Sequence, residues 1–131
     1  MAEYKQMFIN AAVYRVVSEL AEYASGKLNA RVSRIEVFDY VPECLERHPE
    51  FLTQQVVMDK AKGRTTVVYR IDTYNYLAKL REEGKVKSIS DGLLRGVACL
   101  QAHRDDLLLE ELRKKLSLTK GSVQEASQQP H

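Results

Sequence analysis

The sequence predicts a mainly α-helical domain with one small β-hairpin. Apolar residues recur at spacings of three and four through most of the chain. One stretch alternates polar and apolar residues before an Asp-Gly pair, and glycines stand where several periodic segments end. The 131 residues suit one packed domain, taken as 1–116, with 117–131 a polar, mobile tail. Hydrophobic residues at 44%, charged residues at 29% and only three prolines exclude disordered, collagen-like and low-complexity chains. No apolar run approaches the ~18 residues needed to cross a bilayer, and Met1 to Asn10 shows no basic patch followed by an apolar core. Cys44 and Cys99 are too few and too far apart for a disulfide framework or a zinc site. They are expected as small buried thiols in a reducing cytoplasm.

The elements follow in order. From Glu3 to Ser25, Met7, Phe8, Ala11, Ala12, Val16, Val17, Leu20 and Ala24 form the apolar face of an amphipathic helix, stopped at Gly26. Arg31 to Val41 is ambiguous. Arg34 to Val41 alternates like a strand, while Ser33 and Glu36 form a capping box; short helical pieces are favoured, with Pro42 opening a new one. Glu50 to Ala61 reads as a helix with Phe51, Leu52, Val56 and Val57 buried. Thr65 to Glu83 is expected to be helical and to stop at Gly84. The β-branched run Thr65–Ile71 also permits a strand followed by a shorter helix from Thr73. Lys85 to Ser90 alternates like an edge strand, Asp91-Gly92 signals a hairpin, and Leu93 to Leu100 is its return. A last helix runs from about Gln101 to Leu116. No internal repeat is visible.

Charge is unevenly distributed. Residues 1–59 carry six Lys/Arg against nine Asp/Glu, residues 60–95 nine against four, and residues 96–131 five of each. A basic segment within an otherwise acidic or neutral chain can guide a polyanion to one face. Catalysis finds little support. His48, His103 and His131 are scattered, show no metal-ligand spacing with the cysteines, and no glycine-rich phosphate loop is present. No enzyme activity, cofactor or metal is expected.

Thr53 to Arg70 resembles the helix-turn-helix core of bacterial regulators, and Leu77 to Val86 resembles the junction of recognition helix and wing in winged-helix transcription factors. The resemblance covers about residues 50–100, although Thr66 to Gly84 is longer than the usual recognition helix. It implies a winged helix-turn-helix flanked by N- and C-terminal helices, binding duplex DNA sequence-specifically as a transcriptional regulator. The implied DNA contacts are Lys60, Lys62, Arg64, Thr65, Thr66, Tyr69, Arg70, Thr73, Lys85, Lys87 and Arg95. Arg70 is the foremost base contact, and Lys62 and Arg64 are foremost for the backbone. Leu107, Leu108, Leu112 and Leu116 would supply a homodimer interface, or pack within the monomer. The alternative is a winged-helix protein–protein interaction module or assembly subunit that does not bind DNA.

Overall fold

The computed structural model describes residues 3–58 and 62–117; Lys60 and the expected tail beyond Ser117 lie outside them. Among the described residues the chain is mainly helical with one small antiparallel two-stranded sheet, as expected, but its strands lie outside 85–100, where the sequence predicts the hairpin. Strand β1 is Tyr4–Asn10 and strand β2 is Arg64–Arg70. Helices α1 (Ala11–Leu28), α2 (Arg34–Phe38), α3 (Val41–Arg47) and α4 (Glu50–Thr53) follow β1. Helices α5 (Ile71–Glu82) and α6 (Ile89–Ala102) follow β2. A π-helical turn, Arg104–Leu108, then runs into a helix over 109–117.

Pairing of β1 with β2 has a particular register. Met7 faces Val67 at its centre, and Tyr4↔Arg70 and Asn10↔Arg64 close its ends. Two further backbone bonds continue the ladder, Ala11 N–H to Gly63 O at 3.2 Å and Ile71 N–H to Glu3 O at 2.9 Å. Each is the image of the other under exchange of the two strands. The same exchange relates the helices. Ser33 caps α2 and Ser88 caps α6, each accepting from the backbone N–H of an acidic residue three positions on, Glu36 or Asp91. Cys44 and Cys99, 55 residues apart, are joined in a disulfide. At that same offset Val37, Phe38, Val41, Cys44 and Leu45 correspond to Gly92, Leu93, Gly96, Cys99 and Leu100, all buried. The chain is therefore two strand–helix–helix units about a pseudo-twofold axis, with α2 and α3 together standing for α6.

Equivalent residues meet where they lie on that axis. A Cβ added to Gly96 would overlap the side chain of its counterpart Val41, so α3 and α6 approach this closely only because that residue is glycine. One turn on is the Cys44–Cys99 bridge, with Cα atoms 6.2 Å apart. A further turn on, the rings of His48 and His103 stack with centroids 3.5 Å apart. Around the axis one continuous core includes Ile9, Val17, Leu20, Phe38, Leu45, Val67, Tyr69, Leu77, Leu93 and Leu100. Each such side chain, once buried, contributes roughly 1.5–3 kcal/mol.

Several expected elements are corrected. Tyr4–Asn10 is a strand, because its alternation places Ile9 in the core and Tyr4, Gln6 and Phe8 outward, and the Asn10 side chain caps α1 by accepting from Ala12 N–H. Within 50–61 the helix spans only Glu50–Thr53 of the described residues. The Thr65–Ile71 run takes its strand alternative, and α5 begins at Ile71. No recognition helix therefore starts there. Residues 85–100 hold a turn and α6 in place of a wing. Asp91 sits in a helical first turn, and Gly92 is small because Leu77 occupies the place of its Cβ. An internal repeat exists, in structure more than in sequence. The cysteines are paired, not free thiols. Short helical pieces over 34–47, the Ser33–Glu36 capping box and the stop at Gly84, with φ of 74°, stand as expected.

Gly96→Ala should lower stability by about 1–3 kcal/mol through overpacking, whereas Gly26→Ala, inside α1 with open space around it, should raise it by about 0.5–1 kcal/mol. Urea midpoints of the two variants check both signs. Reducing the disulfide should cost on the order of 4 kcal/mol for a loop of 55 residues, read as a fall in Tm on adding reductant.

Candidate nucleic-acid interface

The outward face of the ribbon mixes exposed aromatic, polar and cationic side chains. β1 contributes Tyr4, Gln6 and Phe8, and β2 contributes Arg64, Thr66, Val68 and Arg70. These positions alternate with Ile9, Val67 and Tyr69, which point into the core. Tyr4 and Phe8 are 51% and 58% exposed, unusual for large aromatic groups. A cation covers each: Arg64 lies over the Phe8 ring at 5.2 Å and Arg70 over Tyr4 at 5.8 Å. Arg64 also donates to the Phe8 carbonyl at 2.9 Å, which fixes the guanidinium along the ribbon.

Arg70 is held differently. Its Nε donates to Asp39 Oδ2 at 3.0 Å, just beyond α2. Burial pushes the Asp39 carboxyl above its ordinary range, opposed by the hydrogen bond and charge of Arg70. The same hydrogen bond raises the guanidinium's own value. Arg70 keeps its charge but is ion-paired and tied to the body, while Arg64 presents its charge on the exposed face.

Helix α2 begins beside the ribbon, and α6 begins across a cleft from the end of β1. Ser33, Arg34 and Ile35 line a cleft with Thr66, Val67 and Val68. Ser90 and Asp91 line another with Ile9 and Asn10. Arg31 and Arg34 on one side, and Lys85 and Lys87 on the other, are exposed next to these helix starts. Lys85 lies 3.5 Å from Glu83, and the Lys87 backbone N–H donates to Asp91.

The expected contacts divide accordingly. Lys62, Arg64, Thr66, Lys85 and Lys87 are exposed. Lys60 is outside the described residues. Thr65 is half-buried on the inner side of β2. Tyr69 is fully buried against Phe38, with ring centroids 5.6 Å apart, and its hydroxyl donates to Met7 Sδ at 2.7 Å. Burial raises its pKa well above the usual phenol value. Thr73 is buried and donates to Phe38 O at 3.5 Å. Arg95 grips Asp91 and donates to the Phe51 and Gln54 carbonyls at 2.9 and 2.7 Å, so it fastens the connecting segment. Leu107, Leu108 and Leu112 are buried in the chain's own core, and Leu116 is half-buried. The three buried leucines fill the chain's own interior, and no leucine among the described residues is fully exposed. The sequence does not single out Tyr4, Gln6 and Phe8, because its spacing predicts a helix over them. Residues 4–9 do not alternate polar with apolar types, so the local signal is limited to Asn10, a good helix cap that marks where α1 starts.

The chain matches no family model, no curated protein and no solved structure. No helix among the described residues is long and apolar enough to cross a membrane.

Replacing Arg95 with Met should free the Phe51 and Gln54 carbonyls. Hydrogen exchange over 50–58 should then accelerate while exchange in α6 stays slow. Unchanged exchange over 50–58 would show that the connecting segment is held by other contacts.

Proposed function

We propose that this protein binds duplex DNA sequence-specifically, as a transcriptional regulator, by laying its two-stranded ribbon in the major groove. The observation that carries the reading is the paired outward face of Tyr4, Gln6, Phe8, Arg64 and Thr66 on an antiparallel ribbon. A two-stranded β-ribbon is one of the shapes that the major groove of B-DNA admits, and its side chains then meet base edges. Gln6 matches the donor and acceptor pattern of adenine, Arg64 that of guanine, and Phe8 offers apolar contact to a thymine methyl. The pseudo-twofold register suits DNA, whose two strands are themselves related by local dyads, and gives a single chain the symmetry that other readers obtain by dimerising. Lys62, Arg34, Lys85 and Lys87 flank the ribbon as phosphate contacts, which supply affinity and position without reading sequence. The reading rests on the ribbon and needs neither a recognition helix nor a wing.

A second reading has its own observation. Exposed Tyr4 and Phe8 would also suit a protein partner that packs on the ribbon. Fluorescence anisotropy with a random duplex separates the two. DNA binding should weaken steeply with salt, with a log–log slope of about −0.9 per phosphate neutralised. Lys87→Ala should weaken all duplexes about equally, whereas Arg64→Ala, measured on a selected site, should cost about 1–3 kcal/mol and relax preference there. No binding at ~50 mM salt would remove duplex DNA as the ligand and leave the protein-partner reading.

A further inference from the structure

We infer that His48, His103 and Glu50 form a binding site for a divalent transition-metal ion at the pseudo-twofold axis. The sequence Cys-Leu-x-x-His occurs twice, at 44–48 and 99–103, once at the end of each axial helix. The fold brings both copies to the axis, so that the imidazoles of His48 and His103 face each other in a stack with an interplanar angle of 6°. Glu50 joins them from α4. One ligand atom from each of the three lies within 4.8 Å of the others.

The donor spacing suits one ion once the rings turn out of their stack. His48 Nδ1 stands 3.5 Å from Glu50 Oε1. Two ligand atoms on one tetrahedral centre, each bonded at about 2.0–2.1 Å, are separated by about 3.3–3.4 Å. His103 Nδ1 lies 3.0 Å from Asp106 Oδ2, which leaves its Nε2 for the ion. A carboxylate behind a ligating histidine fixes the ring and makes it a stronger ligand. The side chains of His48 and His103 are 24% and 22% exposed, enough for an ion to enter and little enough to restrain both rings. The cysteines, bridged one turn below, are occupied with each other. The donor set is therefore two imidazoles and a carboxylate with no thiolate, which suits Zn²⁺, Co²⁺ or Ni²⁺ better than softer ions. Coordination would turn the rings out of their parallel stack and tie the ends of α3 and α6 together beyond the disulfide.

The test is titration of the untagged, oxidised full chain with Co²⁺ and Zn²⁺, followed by absorption and calorimetry. Expected are one equivalent bound, a rise in Tm, cobalt d–d bands without a thiolate charge-transfer band, and release of Co²⁺ by Zn²⁺. His48→Gln and His103→Gln should each weaken binding at least tenfold, and Glu50→Gln less. Circular dichroism of the metal-free variants confirms that they fold. Absence of stoichiometric binding at micromolar metal overturns the site. So does binding that survives both histidine changes, which would place the ion elsewhere, for example at His131. A thiolate band overturns the ligand set by showing that the cysteines bind.

Discussion

Everything in this fold depends on β1 finding β2. The strands are 60 positions apart, and a lone strand leaves its backbone groups unpaired and one apolar face uncovered. Neither strand–helix–helix unit closes a core alone: Ile9 of the first and Val67 and Tyr69 of the second share one interior beneath the ribbon. Once the strands pair in the register centred on Met7 and Val67, the rest is placed. Helices α1 and α5 leave the ribbon at equivalent ends, and α3 and α6 meet over Gly96. The sulfurs of Cys44 and Cys99 are thereby brought within bonding reach. The disulfide then bridges the same two halves, so ribbon and bridge restrain one axis from separate levels.

That dependence explains which parts of the fold were legible in the sequence. Local chemistry was readable where a feature is satisfied by neighbours in sequence. The Ser33–Glu36 box is a contact over three residues, and Gly84 takes a positive φ at the end of α5. Features satisfied across the molecule were misread. Tyr4–Asn10 had Met7, Phe8 and Ala11 at helical spacing, and only a partner 60 residues away makes it a strand. Asp91-Gly92 carries a strong turn signal, but the glycine answers to Leu77 and the aspartate to the capping of α6. The two Cys-Leu-x-x-His segments were present to be matched. Helix lengths differ between the units, so the offset changes from 60 at the strands to 55 at the axial helices and hides the repeat.

The candidate interface was half legible for the same reason. A basic segment drew attention to residues 60–95, and Arg64, Thr66, Lys62, Lys85 and Lys87 are indeed exposed there. Composition does not say which side of a strand a residue takes. Period-two alternation sends Tyr69 into the core and Thr66 outward. Nor does it give ion pairing: Arg70 is engaged by Asp39 and Arg95 by Asp91, which turns two expected ligand contacts into internal fasteners. The other half of the surface comes from Tyr4, Gln6 and Phe8, uncharged side chains that carry no charge signal.

The measurement that bears most directly on this account is a ¹⁵N–¹H correlation spectrum of the protein titrated with a short duplex. The expected result is that amide shifts concentrate in 4–10 and 64–70, with smaller changes near 31–35, where α2 begins beside the ribbon, and near 85–88, ahead of α6. Shifts confined to α5 or to the helix over 109–117, with the ribbon unmoved, would contradict the claim that the paired strands are the reading surface.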